Sequence, residues 1–499
     1  MRMPSNASYY WCALGLVALL ASVNFLTGLG EPRGAVWDES YYLTSTERYA
    51  EGVAQFASHP PLGLMLIAAG NELLNPNRNL DTRPLGRDKR ADGRVIPSGF
   101  SFAGVRSGSG LFAVIGAMVF FALMHAITQS TFTALVFSNL FTFENAFITQ
   151  FRAAQLDAFQ IAFTTVALLC FVSAAQRQQR SSPPLEAGLG AACGLAMMVK
   201  LNATVLLLLG LMLVIRRVSM SWANAPKPRV LLIATRDLGI MAASCLGVMF
   251  AVFAIHVRLS TNYVDATTPA GQKDQQFLSP QYREYLHGRR PLGPSVIISA
   301  ANDYRRFMAA DFEGTPRIDA NASSPLQWPL ERGTINYRWD SDGKRTAYVQ
   351  LVGNPVNWML ALVAPFAALA LLILPRRWLT EPADRVRDAD VRRALLGMLL
   401  IEYVAFMALH WYLSTYRVMY LYHYFIGLLL AFTLLPLVYR EALEQWPAAQ
   451  KWQTPALAVL TALVLISFAF YSPLNFHRPL THQQCERRNS FQHVVNCVS

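Results

Sequence analysis

Charged residues are scarce in this sequence: Asp, Glu, Lys and Arg make up 15% of 499 residues, against 53% hydrophobic residues. That balance excludes an ordinary soluble domain, in which about a quarter of residues are charged, and it excludes a disordered chain. Cysteine is scarce too, with 6 in the chain. Cys12, Cys170, Cys193 and Cys245 fall inside apolar runs without metal-ligand spacing, which excludes a zinc ribbon and a disulfide-built scaffold. No tandem repeat and no low-complexity tract occurs, so solenoids are excluded as well. Acidic residues are outnumbered, 31 against 43 Lys and Arg, for a net charge of +12. The basic residues collect in short connections between apolar runs, where membrane topology and anionic lipid account for them, so nucleic acid is not an expected partner.

What the chain has in quantity is apolar runs near the ~20 residues needed to cross a hydrocarbon core. Spans are expected at 9–29, 107–127, 130–148, 155–175, 185–199, 201–215, 237–257, 353–374, 394–412, 418–438 and 454–471. The fold class expected is an all-α polytopic membrane protein of about eleven transmembrane helices. Lys and Arg concentrate in 176–180, 216–236 and 376–393, which the positive-inside rule places in the cytoplasm with the N-terminus. Residues 30–106, 258–352 and 472–499 then face outside. The first run continues through Asn24, Phe25 and Leu26 and is read as an uncleaved span.

The organisation follows: an N-terminal transmembrane half, 1–257, with a first outside loop at 30–106; a second, longer outside loop at 258–352; C-terminal helices at 353–471; an outside tail at 472–499. In the first loop Tyr42, Thr46, Tyr49, Val53 and Phe56 recur at helical spacing from Asp38 onward, and Leu62–Leu74 is apolar but too short to span. Both are expected as amphipathic helices lying in the outer interface. Residues 75–100 read as an irregular loop, and Trp328, Tyr337 and Trp339 of the second loop suit a headgroup boundary. Cys485 and Cys497, both in the outside tail, are expected to pair in an oxidising compartment.

Polar residues gather at the outer mouth of this bundle: Asp38, Glu39, His59, Glu144, Asn145, Arg152, Asp157, Lys200, Asn202, Arg417, Tyr422, His423 and Tyr424. Ionisable groups near hydrocarbon are costly, so clustering at one depth calls for a site or a pairing network. Each also has a plainer explanation. Asp38-Glu39 can be a helix N-cap, His59-Pro60-Pro61 a helix start, Arg152 and Asp157 an ion pair, His423 a member of an aromatic belt, and Lys200 a snorkelling side chain. One carboxylate with several cations at the same level suits group transfer from a lipid phosphate: the carboxylate takes a proton from an acceptor hydroxyl while Arg or Lys stabilises the departing phosphate. Glycoside hydrolysis needs two carboxyls facing across one bond, and neighbours on a helix diverge by about 100°. Asp38 is therefore given the role of base.

Trp37-Asp38-Glu39 after the first span, His59-Pro60-Pro61-Leu62-Gly63, and Arg152 with Leu156-Asp157 together resemble the protein O-mannosyltransferase family. Gly194–Lys200, Ser324–Leu330, Gly353-Asn354-Pro355 and Tyr422-His423-Tyr424 extend the resemblance along nearly the whole chain. It implies an inverting transfer of a sugar, typically mannose, from a polyprenyl-phosphate carrier to a Ser or Thr hydroxyl of a translocated protein. It implies Asp38 as base, Arg152 near the donor phosphate, and no cofactor or metal; Glu39, beside Asp38, is the second catalytic candidate. His59, Asp157, Lys200, Arg417 and His423 complete the candidate donor site. The family usually has Lys where this chain has Leu64, so Lys200 and Arg417 are the candidate substitutes. The chain lacks the large repeats that eukaryotic members insert in the second outside loop, which fits a bacterial member in the inner membrane with its site facing the periplasm. The competing expectations are a transferase acting on lipid A or another glycolipid, and a flippase for a lipid-linked sugar.

Overall fold

The computed structural model describes residues 7–177, 181–223, 225–263, 267–315, 318–374, 383–489 and 494–498. Among them, nine helical segments are long and apolar enough to cross a membrane: Ala7–Leu26, Ala103–Thr128, Asp157–Gln176, Leu201–Ser221, Lys227–Leu259, Pro355–Ile373, Asp388–Leu413, Leu421–Gln445 and Pro447–Leu474. Each overlaps an expected span. The chain is a multi-pass membrane protein with a helical fold.

Two expected spans take another form. Residues 130–148 break at Phe143 and Glu144 into α5 (Thr131–Thr142) and α6 (Asn145–Arg152), because the Glu144 carboxylate turns back to cap α6 at the Ala146 amide. Residues 185–199 form α8 (Pro183–Met197), whose 15 residues rise only about 22 Å. This helix is wedged between α7 (Asp157–Gln176) and α10 (Lys227–Leu259). Gly190 and Gly194 make that possible: a Cβ at either would lie 2.1 Å or 2.8 Å from backbone carbonyls of α10. The basic residues Arg180, Arg376 and Arg377 lie outside the described residues.

After α1 (Ala7–Leu26) the first loop carries α2 (Glu39–Ala50) and α3 (Leu62–Leu74), followed by α4 (Ala103–Thr128). The expected interfacial position does not describe α2. Besides Tyr42 and Tyr49 it buries Leu43, Thr44, Ser45, Glu47 and Arg48, so nearly its whole circumference is covered by protein. The cover is α3, the irregular stretch to Phe100, His256 of α10, and α11 (Pro269–Gln275) of the second outside loop, whose Asp274 meets Arg48; α12 (Pro280–Leu286) and α13 (Pro294–Glu313) of that loop pack on Ala54 and Phe56 just after α2. That loop ends in an antiparallel hairpin, β1 (Ile335–Ser341) and β2 (Thr346–Leu351), to which the C-terminal tail adds β3 (Pro479–Leu480). Trp328 and Tyr337 are buried by protein: Trp328, in the short turn Pro325–Leu330, packs on His410, His423 and Tyr424, and Tyr337 is carried inward by the hairpin onto α6; Trp339 stays half exposed. The C-terminal helices are α14 (Pro355–Ile373), α15 (Ala383–Leu413), α16 (Phe425–Gln445), α17 (Gln453–Tyr471) and the short α18 (His482–Asn489). A disulfide joins Cys485 and Cys497, with Cα atoms 5.9 Å apart, in a small cluster with Tyr348, Tyr471 and Leu480.

Candidate active site

The chain enters the site through Trp37, whose φ of +50° is a left-handed conformation that a bulky residue adopts only when its surroundings hold it there. The indole stacks on Tyr337 at 5.0 Å and meets Tyr420 edge-on at 5.7 Å. The next residue, Asp38, caps α2 with its backbone carbonyl alone; its side chain makes no capping bond. Among the described residues nothing donates a hydrogen bond to the Asp38 carboxylate. It is half-buried and lines a cavity of about 350 Å³.

Glu39, its neighbour, is placed in the opposite circumstance. Fully buried, it receives Arg106 Nε at 2.7 Å and Nη2 at 2.8 Å, and the amides of Val36 and Ala154 at 2.8 and 2.7 Å. Arg106 spends its remaining donors on the carbonyls of Leu29, Pro32 and Gly34. The pair closes the loop between α1 and α2 onto α4, and both carboxylate oxygens are committed to it. Arg106 was not singled out in the sequence because an Arg at the mouth of an apolar run reads as an interfacial anchor.

The same cavity is lined by His59, Arg417, His423, Tyr42 and Tyr422. His59 arrives there because Leu62 donates its amide to the Met198 carbonyl at 3.1 Å. Gly63 lies so close to Leu156 and Val199 that a Cβ would stand 2.7 and 3.2 Å from their side chains. The His59-Pro60-Pro61-Leu62-Gly63 and Gly194–Lys200 stretches are thus docked on each other. Burial, with the charges of Lys200 and Arg417, holds the His59 imidazole well below its usual pKa and therefore neutral. His423 Nδ1 lies within hydrogen-bond reach of both backbone groups of Tyr420, 3.0 Å from the amide nitrogen and 3.1 Å from the carbonyl oxygen. Its ring lies roughly parallel to those of Tyr422 at 4.6 Å, Tyr420 at 5.9 Å and Trp328 at 6.4 Å.

Behind Asp38 lies a buried relay. Lys200 Nζ contacts Asp157 Oδ1 at 2.7 Å, Asp157 Oδ2 accepts Gln150 Nε2 at 2.7 Å, and Gln150 Oε1 accepts the Tyr337 hydroxyl. Asp157 thus pairs with Lys200 and not with Arg152. Lys200 Nζ also sits 5.1 Å from the Tyr422 ring centroid. Burial raises the Asp38 pKa to about 6, with the Lys200 charge pulling it down and the Asp157 charge pushing it up.

Arg152 is not brought to this cavity. It donates to the carbonyls of Asn24 at 2.9 Å and Gly28 at 3.4 Å and lines a second cavity. Glu144 and Asn145 are also elsewhere. Glu144 binds the amide of Asn354 and the side chains of Asn357 and Trp358, which makes Gly353-Asn354-Pro355 a clasp between α6 and α14. Asn145 is bonded to Asn475. Residues not anticipated at the Asp38 cavity come from far along the chain: Lys89, Lys273, Asp311, and the buried Arg48 and Asp274 pair at 3.1 Å. Among the described residues no group of three His, Cys, Asp or Glu stands ready to hold a metal.

A Candida albicans dolichyl-phosphate-mannose–protein mannosyltransferase 4 is 30% identical over 169 residues, 34% of this chain and 21% of that protein. The enzyme of the same name from Schizosaccharomyces pombe is 24% identical over 167 residues, again 34% of this chain and 21% of the relative. These alignments span about a fifth of the relatives' length. The fold is similar to that of the S. cerevisiae protein O-mannosyltransferase complex bound to the sugar donor, with a TM-score of 0.79 at 14% identity over 96% of this chain and 92% of that one. The dolichyl-phosphate-mannose-protein mannosyltransferase family model matches residues 15–268, and the model of the C-terminal four-transmembrane region of protein O-mannosyltransferase matches 305–494. By a match that takes in more than half of its length, the chain belongs to the dolichyl-phosphate-mannose-protein mannosyltransferase family.

Proposed function

We propose that this protein transfers a mannosyl unit from a polyprenyl-phosphate carrier to a Ser or Thr hydroxyl of a polypeptide, with inversion, at the cavity beside Asp38. The observation that carries the proposal is the Asp38 carboxylate, which receives no hydrogen bond from the described residues, in a cavity whose other charged and polar walls include Arg417, His59 and His423. A carboxylate without a partner is available to an incoming hydroxyl.

In the proposed step Asp38 takes the hydroxyl proton as the acceptor oxygen bonds to the anomeric carbon. The bond from that carbon to the phosphate oxygen breaks on the opposite face, and the polyprenyl phosphate leaves with the electron pair. Arg417, whose Nε is buried with no hydrogen-bond partner among the described residues, stands for the cation that meets the growing phosphate charge, with the His423 imidazole on the same cavity wall. Neutral His59 can donate without adding charge. Glu39 holds the Asp38 backbone in place through Arg106 and is a positioning residue. The chemistry as proposed asks for no metal or cofactor. We place the site on the non-cytoplasmic face, from the distribution of Lys and Arg in the loops.

The test is transfer from polyprenyl-phosphate-linked mannose to a Ser/Thr peptide by the full chain in liposomes, followed by mass spectrometry of peptide and lipid fractions. Mannose on the peptide, lost in Asp38→Asn and with a raised donor KM in Arg417→Gln, supports the reading. Label appearing only on a glycolipid, or unchanged turnover in Asp38→Asn, overturns it.

A further inference from the structure

Along its length α2 forms one wall of the Asp38 cavity, through Asp38, Tyr41, Tyr42, Thr44, Ser45 and Arg48. Between the first and last of these the helix rises about 15 Å. The cavity is therefore elongated, with the carboxylate assigned to the acceptor hydroxyl at one end and Arg48 at the other.

The two outside loops bring charge to the Arg48 end. Arg48 is paired with Asp274 of α11 at 3.1 Å, and Lys89 of the first loop with Asp311 of α13 at 3.4 Å. Lys273, the chain neighbour of Asp274, also lines the cavity. It is exposed, its Nζ lies 5.2 Å from the ring centroid of Phe307, and among the described residues it forms no ion pair. This end of the cavity thus carries a cation in excess. Arg417 and Asp38 have parts in the proposed transfer, whereas Lys273 has none.

A polypeptide with its hydroxyl at Asp38 and its chain laid along α2 runs toward Lys273. Extended, it covers about 15 Å in about four to five residues, and the flexible lysine stem widens that window to about three to five. A carboxylate at this spacing meets an opposite charge, and a lysine meets a like one. Resting on the transferase reading above, we propose that Lys273 selects acceptor segments that carry Asp or Glu about three to five residues from the Ser or Thr.

The experiment measures mannose transfer by the full chain in liposomes to peptides that differ only in having Asp, Ala or Lys about four residues from a single Thr, on each side in turn. For the wild type on the favoured side, kcat/KM for the Asp peptide should exceed that for the Ala peptide by about two- to fivefold, through KM, with the Lys peptide below both. The spread should narrow in about 1 M salt, as it does for an exposed pair. Lys273→Gln should bring the Asp and Ala peptides level, and Lys273→Glu should reverse the order of Asp and Lys. Arg305→Gln, exposed on α13 and not among the residues lining the cavity, should keep the wild-type order. Equal transfer to all peptides by the wild type, or the wild-type order in Lys273→Glu, overturns the role of Lys273 and leaves the transferase reading standing. Absence of transfer to every peptide by the wild type overturns that reading and the proposal with it.

Discussion

Lys200 Nζ lies 2.7 Å from Asp157 Oδ1, and this buried pair stands behind the Asp38 carboxylate with one charge of each sign. The arrangement sets how readily Asp38 gives up and takes a proton. Each partner acts on it in a known direction, which makes the relay accessible to pH profiles.

Asp38 must be ionised to accept a proton. With its pKa raised to about 6 by burial, kcat/KM should fall on the acid side as pH drops through about 6 and level off above it. Asp38→Asn should abolish transfer while the protein still elutes as a folded species in size-exclusion chromatography. A profile flat from pH 5 to 8 would remove Asp38 from the role of base.

Removing the Lys200 cation takes away an influence that favours the Asp38 carboxylate, so Lys200→Gln should move the acid limb to higher pH. Asp157→Asn removes a like charge and should move it to lower pH. Shifts of opposite sign in the two variants are the expected result, read from kcat/KM between pH 4.5 and 8. Shifts in the same direction would mean that the relay acts on Asp38 through geometry alone.

Glu39 and Arg106 form a fully buried ion pair with backbone groups saturating both ends. Glu39→Ala leaves Arg106 charged and unpaired in the interior, a loss of about 3–5 kcal/mol. The expected outcome is a marked drop in the temperature at which the detergent-solubilised protein loses its monodisperse peak. An unchanged temperature would show that the pair contributes little to the loop's closure.

The Cys485 to Cys497 bridge closes a loop of sequence separation 12, against which the chain-entropy model sets about 3 kcal/mol of local stabilisation. Cys485→Ser should make the tail after Tyr471 more sensitive to limited proteolysis, read on a gel, and should abolish the mobility change on reduction that the wild type shows. An identical cleavage pattern in both would place the tail's stability in the cluster of Tyr348, Tyr471 and Leu480.

Much of the site was legible because burying charge near hydrocarbon is costly, so Asp38, His59, Lys200, Arg417 and His423 stood out in an apolar background. Their partners were less visible. An ion pair of Asp157 with Arg152 is one reading that nearness in sequence allows, yet α7 starts at Asp157 and carries it to Lys200. Arg106 at the mouth of an apolar run, and Arg48 and Asp274 in polar stretches, are ordinary charged residues by sequence and acquire meaning only from what covers them. Trp328 and Tyr337 fit a membrane boundary by type, whereas the packing of His410, His423 and Tyr424 buries the first and the inward fold of the hairpin the second.

Hydrophobic run length and the scarcity of charge decided, from the amino-acid order alone, that this chain is a many-helix membrane protein, since no water-soluble arrangement hides so many apolar runs. Motif order was enough to suggest its kinship. Which cations share a cavity with Asp38, and which serve elsewhere, was decided only by tertiary packing: Arg152 and Arg417 are alike in type and sit at similar distances from a span. Pairing in three dimensions is set by side chains from distant segments, and no local pattern encodes it.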